Sequence, residues 1–421
     1  MNNFLRSILV LMTGTAMSQL IPIIASPLLT RIFSPENFGS FAFYLSIITI
    51  ASTVVTGKYE QAIPLPKSNR SASYLTALSL VNSCIITLIL FVIAFGIYAF
   101  NPLFFNNYSL NFHSLLFITL GTLALASYQA ISYWFIRTQS YKMMSKNKVM
   151  QAILNVVISI LSGLTLSANT GLVLGDITSK IFTTFSFINS FLKSKVNSLT
   201  RPVPIKLKVA LLITTATKYK SYPLYLVPGS LMNVLSKQLP FIIYGFIYSH
   251  ELIGLLMMAQ RVILSPLGII SSSFSQVLLK TTADQLRDHG NCWKSYSKCL
   301  KILVLIPLPI ILLGYFFLEP TINLVFGSQW SNLSNVIFIL TPYFYIYLVS
   351  GTLNIVVIAA GKQKLNLIMQ SIFLLTIVVA LSISLFFNLD GMNALKILTT
   401  ANVFYFSLTL IISSLIAKGK L

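Results

Sequence analysis

The chain has little charge, and very little negative charge. Only 9% of its 421 residues are charged, and Asp and Glu together number eight, against 29 Lys and Arg. A soluble protein carries about 25% charged residues, so a soluble fold is excluded. With three histidines and eight acids, the chain has little material for acid–base catalysis. The three cysteines, Cys84, Cys292 and Cys299, have no CxxC spacing, and no HExxH, GxSxG or P-loop motif occurs. The sequence therefore predicts no metal site, no cofactor and no ATP-driven activity of its own.

Hydrophobic residues are abundant, at 56% of the chain, with a mean hydropathy of +0.83. A helix crosses the hydrocarbon layer in about 20 residues. Apolar windows of this kind recur twelve times, which predicts an all-α, polytopic membrane protein. The windows lie at 8–29, 37–57, 72–100, 112–136, 149–168, 170–192, 222–247, 251–279, 301–318, 333–360, 365–387 and 393–416.

The basic residues alternate between the two sides of the predicted membrane. With a cytoplasmic N-terminus, 24 of the 29 cations fall in inside segments and two in outside segments. This asymmetry predicts that both termini are cytoplasmic. It also explains the net charge of +21 without nucleic acid and points to contact with anionic membrane lipids.

The longest loop, near the middle of the chain, has seven cations and no acid. We take 196–218 as a basic cytoplasmic linker between an N-terminal lobe, 1–195, and a C-terminal lobe, 219–421. Topogenic charge is favoured over a docking site as its role. A later segment, 281–298, predicts a short amphipathic helix along the inner surface.

An internal repeat supports two lobes. The motif S-x-E-x-x-G occurs as SPENFG at 34–39 and as SHELIG at 249–254, each between the first two spans of its half. Ser is a preferred N-cap, and Glu in a first turn interacts favourably with the helix dipole. The motif predicts a helix start in both halves. Two six-helix lobes repeated in the same orientation follow.

Two spans of the second half each carry a cation, Lys237 in 222–247 and Arg261 in 251–279. A charge near mid-membrane costs about 3 kcal/mol on insertion scales and marks a candidate functional site. Polar residues at helical spacing, including Asn233 before Lys237 and Ser265 after Arg261, give each span a polar face. These faces indicate either a lumen that holds an anion or charges that only join helices.

The predicted sixth span carries Asp176 and Lys180, four residues apart and therefore on one helix face. The pair either neutralises itself or provides, through Asp176, the carboxylate that binds a coupling proton or sodium ion. On the tenth span, Tyr343 and Tyr347 share a face. They would stack on sugar rings or belong to an interfacial aromatic belt.

The loop KYEQAIPLPK at 58–67 begins at the edge of the predicted second span. Its charged residues Lys58 and Glu60 lie either at the cytoplasmic mouth of a cavity or in a plain solvated loop.

Five stretches together resemble bacterial polysaccharide-export flippases of the O-antigen (Wzx) type, in the superfamily that includes MATE multidrug exporters. They are LTRIFSPENFGSFAFYLSI, TGKYEQAIPLPK, GLVLGDI, YPLYLVPGSLMNVLSKQLP and AQRVILSPLGIISSSFSQV, and the likeness covers nearly the whole chain. The resemblance implies a MATE-like fold in the bacterial inner membrane. It implies as substrate an oligosaccharide on undecaprenyl pyrophosphate, with a polysaccharide polymerase and a chain-length regulator as further partners.

By position in these motifs, the resemblance implies a cationic lumen. Its expected substrate-binding residues are Lys180, Lys237, Arg261, Asn233 and Gln260. Family members often carry arginine in the TGRYE-like motif where this chain has Lys58, which keeps the charge but loses the bidentate fork.

Two other functional classes stay open. A MATE-type exporter of small cationic molecules has the same fold but needs a lumen richer in acid. An envelope enzyme needs a large external loop or a catalytic set of His and Asp residues. The predicted outside loops have about fifteen residues or fewer, so we do not expect an enzyme.

Overall fold

The computed structural model describes residues 3–101, 112–193 and 205–420. Within these ranges the chain is helical and has no strand, so the predicted all-α fold is confirmed. The helices are α1 (Asn3–Ile24), α2 (Ser26–Ile32), α3 (Pro35–Val55), α4 (Asn69–Phe100), α5 (Phe112–Arg137), α6 (Tyr141–Thr165), α7 (Ala168–Lys193), α8 (Ile205–Lys218), α9 (Val227–Ile247), α10 (His250–His289), α11 (Trp293–Leu305), α12 (Pro307–Phe326), α13 (Leu333–Leu353), α14 (Ile355–Ala359), α15 (Gln363–Phe386) and α16 (Gly391–Ala417). Short 3₁₀ turns cover Tyr59–Ala62 and Ser328–Trp330, and a π-helical turn covers Tyr222–Leu226.

Eleven stretches of the described chain are long and apolar enough to cross a membrane, which is compatible with the predicted twelve. The predicted span at 222–247 is not among them and corresponds to the π-helical turn followed by α9. The predicted span at 301–318 is longer in the structure, where α11 and α12 form one stretch, Trp293–Phe326. Large apolar side chains are exposed along these helices, Phe316 at 72% for example, as a surface in lipid requires.

The predicted surface helix at 281–298 is wrong. α10 continues without interruption to His289, and Gly290 ends it in the left-handed conformation, at φ 69°, with its N–H on the Leu286 carbonyl. This is the usual glycine ending of a helix. Residues 293–298 of the segment form the start of α11.

The chain divides into two compact units. Unit 1 contains Met1–Ala25 and Phe43–Val234, and unit 2 contains Ser26–Ala42 and Leu235–Leu421. The segment at 26–42, near the N-terminus, thus packs with the second half of the chain. Of the predicted linker, 205–218 forms α8, and 196–204 lies outside the described residues. The lobe boundaries stay a prediction.

Unit 1 is held by close helix contacts. α6 packs against both α1 and α7, and α5 packs against α4 and α7. Small residues permit this approach: a Cβ at Gly14 would lie 1.8 Å from the Ser145 hydroxyl oxygen, and one at Gly175 would lie 2.1 Å from the Ser159 hydroxyl oxygen. Membrane helices associate through such contacts, because lipid offers no hydrophobic gain for bringing helices together.

Unit 2 is centred on α13, which packs against α10 and α16. Its core includes Tyr296, whose hydroxyl lies 2.9 Å from the Ser413 hydroxyl and donates to the Leu410 carbonyl at 3.3 Å. The backbone N–H of Cys292 donates to the Ala417 carbonyl at 2.8 Å. These bonds fasten the start of α11 to the end of α16.

Candidate functional site

The two copies of the repeated motif pack directly on each other within unit 2. Ser34 and Ser249 accept hydrogen bonds from the N–H groups of Asn37 and Leu252, at 3.4 and 3.2 Å, so both predicted helix starts are confirmed.

The last glycine of each motif lies where the two helices meet. A Cβ at Gly39 would lie 1.7 Å from the His250 carbonyl oxygen, and one at Gly254 would lie 1.8 Å from the Pro35 carbonyl oxygen. Only glycine permits two backbones to approach so closely. The motif therefore starts two helices and also makes the contact between them.

Arg261 lies two turns after Gly254 on the same face of α10. Its guanidinium carbon is 5.9 Å from the centre of the Phe38 ring, within the range of a cation–π interaction. The Nη1 atom is buried and has no hydrogen-bond partner among the described residues. A buried donor without an acceptor is costly, so Arg261 retains capacity to bind an anion.

Phe38 is fixed in position by other aromatic residues of unit 2. Its ring meets Phe33 at 6.4 Å and Trp330 at 5.2 Å, both edge to face. The Trp330 indole N–H donates to the Thr30 carbonyl at 3.2 Å, and the Gln329 amide donates to the same oxygen. The sequence alone did not identify these aromatic residues as neighbours of Arg261. Only the place of Phe38 within the motif could have indicated it.

The other predicted cation of unit 2, Lys237, lies on α9 with an exposed side chain. Asn233, one turn earlier, and Gln260, next to Arg261, are half-buried. No hydrogen bond or ion pair joins these three side chains to Arg261 in the described part of the chain. The structure thus places them on α9 and α10, and their role in binding stays a prediction.

In unit 1, Asp176 and Lys180 form a buried ion pair on α7. Lys180 Nζ lies 2.6 Å from Asp176 Oδ2, and each residue is 6% exposed. The Tyr44 hydroxyl donates to the same carboxylate oxygen at 3.2 Å. Gly121 makes room for that hydroxyl, since a Cβ there would lie 2.0 Å from it. Lys180 is therefore neutralised within its own helix, whereas Arg261 has no ion pair in the described part of the chain.

Asp176 is not the only acid in a candidate spanning helix. α12 extends past the predicted end of its span and includes Glu319, whose side chain is exposed. Asp176 differs from it in being buried and ion-paired. Among the described residues, no group of three or more His, Cys, Asp or Glu side chains lies together in a metal-binding arrangement.

Lys148 is a further cation inside a candidate spanning helix. The sequence placed it in a loop, but α6 begins at Tyr141, so Lys148 lies two turns inside that helix. Its ammonium group donates to the Thr15 hydroxyl on α1 at 3.1 Å. The sequence did not predict this position, because the lysines at 142–148 form a basic run at a span edge, which normally indicates a loop.

Comparison with known proteins gives the family. The model of the family described as "Polysaccharide biosynthesis protein" matches residues 28–335, well over half of the chain. The chain belongs to this polysaccharide biosynthesis family. No curated protein sequence matches it significantly.

Solved structures give the fold of this family member. A lipid II flippase, MurJ, in an inward closed conformation is similar with a TM-score of 0.71 at 15% identity, over 97% of this chain and 90% of that one. An inward-facing MATE multidrug transporter of the MOP superfamily is similar with a TM-score of 0.59 at 12% identity, over 97% and 95%. A MOP superfamily transporter from Pyrococcus furiosus gives 0.59 at 12%, over 99% and 96%. At these identities the likeness shows the fold alone, and the expected MATE-like fold is confirmed.

The loop after α3 is more ordered than a plain solvated loop. Gly57 and Lys58 are both left-handed, at φ 61° and 57°, and Glu60 is 2% exposed, with Oε2 lacking a hydrogen-bond partner among the described residues. Burial raises the pKa of the Glu60 carboxyl and lowers the pKa of the Lys58 ammonium. Their place at a cavity mouth stays a prediction.

Arg137, at the end of α5, holds this loop. It donates to the carbonyls of Ile63 and Pro64, both at 3.2 Å, to that of Lys67 at 3.3 Å, and to the Asn69 side chain. In the sequence, Arg137 is one of the basic residues that set the orientation of the spans. Only the folded chain shows that it also holds this loop.

Tyr343 and Tyr347 are already packed against aromatic rings. Their centres are 5.9 Å apart, and both contact Phe406 of α16, at 5.9 and 5.3 Å. Phe373 joins this cluster at 5.8 Å from Phe406. These contacts are edge to face or tilted, and both tyrosines stay half-buried, so stacking on a sugar stays a prediction beside packing.

Proposed function

We propose that this protein is a flippase that moves an oligosaccharide linked to undecaprenyl pyrophosphate from the cytoplasmic to the periplasmic leaflet of the bacterial inner membrane. The glycan belongs to an O-antigen or related surface polysaccharide. Membership of the polysaccharide biosynthesis family and a fold like that of a lipid II flippase and of MATE transporters support a transporter of this kind. The mechanism is alternating access.

The observation that carries the proposal is the state of Arg261. Two cations deep in predicted spans are held by contacts. Lys180 is paired with Asp176, whereas Arg261 keeps a buried nitrogen that has no hydrogen-bond partner among the described residues. A pyrophosphate is the costliest part of a lipid-linked sugar to bring into hydrocarbon. A fixed guanidinium can bind phosphate oxygens in a bidentate manner.

Lys237, Asn233 and Gln260 supply the remaining contacts in this proposal. Lysine acts as a point charge and the amides donate hydrogen bonds. The contact to Phe38 keeps Arg261 oriented without neutralising it. We therefore expect the pyrophosphate to bind with moderate strength, because the substrate must be released on the other side of the membrane.

The test compares variants of Arg261 in cells whose surface polysaccharide depends on this protein. Arg261→Lys should retain part of the surface glycan and Arg261→Gln little, both at normal protein level, and Lys237→Ala should also lose export. If Arg261 only joins helices, Arg261→Gln should instead lower the protein level. Normal export by a well-expressed Lys237→Ala, Arg261→Ala double variant would falsify the anion-site proposal.

For coupling, we infer that Asp176 binds a proton or sodium ion during the cycle. Its carboxylate is buried and shared between Lys180 and the Tyr44 hydroxyl, so an ion that competes for it would release Lys180. Asp176→Asn keeps the shape and removes the charge. Transport by this variant should no longer respond to the ion gradient. Full gradient-dependent transport would make the residue structural.

The proposed orientation places both termini in the cytoplasm. Fusion of alkaline phosphatase after Leu421 should give an inactive phosphatase, and fusion of a fluorescent protein there should give fluorescence. An active phosphatase at that position contradicts the orientation. Copurification with a polysaccharide polymerase and a chain-length regulator would test the expected partners.

A further inference from the structure

Unit 1 contains a second basic site, in a cavity between α1, α6 and α7. Its volume is about 870 Å³, within the range of small-molecule sites. The lining comes from the turn before α6, the first turns of α6 and the last turns of α7. Lys142 and Lys146 both line it, four residues apart and therefore on one helix face. None of the eight acidic residues of the chain lies in the lining.

Asn147 gives this cavity a buried donor. The residue is 3% exposed, and its Nδ2 atom has no hydrogen-bond partner among the described residues. Its Oδ1 atom accepts a hydrogen bond from the Ser186 hydroxyl at 3.4 Å, so the acceptor end of the amide is occupied. A buried N–H without an acceptor is unfavourable. A ligand oxygen in the cavity would satisfy it.

The turn that forms the cavity wall is held in a demanding conformation. Gln139 has φ 52°, a left-handed conformation that usually falls to glycine. Its N–H donates to the Ile136 carbonyl at 3.1 Å, and the Ser140 N–H donates to the Phe135 carbonyl at 3.0 Å, which closes α5 in a Schellman motif. Glycine would fit there without strain, yet the chain carries a glutamine whose side chain lines the cavity.

The N-terminus of α6 adds positive electrostatic potential to this cavity. The Ser140 side chain makes no capping hydrogen bond to this 25-residue helix. The N-terminus of a helix carries a partial positive charge and attracts phosphate groups. Two lysines, an unsatisfied amide and a helix N-terminus thus face one cavity without a counterion from the chain.

We propose that this cavity binds the phosphate of a phosphorylated ligand, at a site separate from Arg261 and Lys237. Lysine ammonium groups bind phosphate as point charges, and the Asn147 N–H supplies a fixed donor. The same chemistry would accept the phosphate of a lipid headgroup or of a soluble phosphate ester. The site lies in unit 1, whereas Arg261 and Lys237 lie in unit 2.

The test measures binding rather than export, in a Lys237→Gln, Arg261→Gln background that silences the proposed transport site. The full chain in phosphatidylcholine nanodiscs is titrated with inorganic pyrophosphate by calorimetry. Binding should be detected in this background. Adding Lys142→Gln and Lys146→Gln should weaken it about tenfold, and adding Lys294→Gln and Lys298→Gln, the matched control on α11, should leave it unchanged. Both lysine pairs are exposed, so neither change threatens folding.

A second variant addresses the buried amide. Asn147→Asp keeps the shape and the bond from Ser186 but replaces the free N–H with an anionic oxygen, so pyrophosphate binding should fall below detection. Native mass spectrometry then separates the two sources. Retention of phosphatidylglycerol over phosphatidylcholine, competing with pyrophosphate, assigns a lipid headgroup. Pyrophosphate binding that phosphatidylglycerol does not displace assigns a soluble ligand. No pyrophosphate binding, or equal binding by the Lys142, Lys146 variant and its control, overturns the proposal.

Discussion

Gly39 lies in the contact between the two motif copies, whereas Gly268 lies in open space. Replacement by alanine should therefore destabilise the protein at Gly39 and stabilise it at Gly268. Replacement of a helical glycine by alanine normally stabilises a helix by about 1 kcal/mol. At Gly39, the new Cβ would lie 1.7 Å from the His250 carbonyl oxygen, where ordinary contact begins at 3.4 Å. The obstacle is backbone, so the two helices must separate by roughly the difference, about 1.7 Å.

Overpacking of this kind costs about 1–3 kcal/mol, and a backbone obstacle puts Gly39→Ala at the upper end. After the gain in helix propensity, we expect a net loss of about 2 kcal/mol. Gly268 is the matched control, because it lies on α10 and a Cβ there meets nothing within 4 Å. Gly268→Ala should therefore gain about 1 kcal/mol.

The assay is thermal unfolding of the detergent-purified protein, followed by tryptophan fluorescence. At about 2 °C for each kcal/mol, Gly39→Ala should melt about 4 °C below the unchanged protein and Gly268→Ala about 2 °C above it. Gly254→Ala should resemble Gly39→Ala, and the double variant should lose less than the sum, because one separation relieves both contacts. The reasoning is refuted if Gly39→Ala melts at or above the unchanged protein.

Three further predictions concern unit 1. Burial raises the pKa of Glu60, so the folded chain keeps a proton that the unfolded chain releases near pH 4.5. The stability of the protein should therefore fall as the pH rises from 4.5 through the raised pKa of Glu60. Glu60→Gln should remove this fall in melts at pH 4 to 7, and an unchanged pH profile contradicts it. Arg137→Lys loses the forked bonds to the loop at 63–69, so limited proteolysis there should quicken about fivefold, for about 1 kcal/mol lost, while exposed Arg70→Lys should not change it. Asp176→Leu leaves Lys180 buried and unpaired and should lower the free energy of unfolding by about 3–5 kcal/mol. Adding Lys180→Met in the same chain should restore most of this loss. Equal melting of the single and double variants would argue that the pair does not form.

The sequence by itself determined the class of protein and the two helix starts at Ser34 and Ser249, and it predicted a number of spans compatible with the eleven candidates of the described chain. These follow from composition and from local signals, apolar length and capping, which act over one helix at most. It also placed Asp176 and Lys180 together, because residues four apart share a helix face. It misplaced Lys148 and ended the span before Glu319 too early, because charge at a span edge looks the same in a loop and in the first or last turns of a helix.

Only the tertiary structure decided which cation is free. In sequence, the spacing of Asp176 and Lys180 allows an ion pair but also allows both to stay free, and nothing near Arg261 shows whether folding brings it a partner. The structure forms the Asp176–Lys180 pair and leaves Arg261 Nη1 without a hydrogen-bond partner among the described residues. Packing likewise brought Gly39 and Gly254 into a contact between helices, placed Phe38 beside Arg261 and placed the Asn147 amide in the lining of a cavity. These last three contacts join residues far apart in the chain that meet in space, which no local pattern encodes.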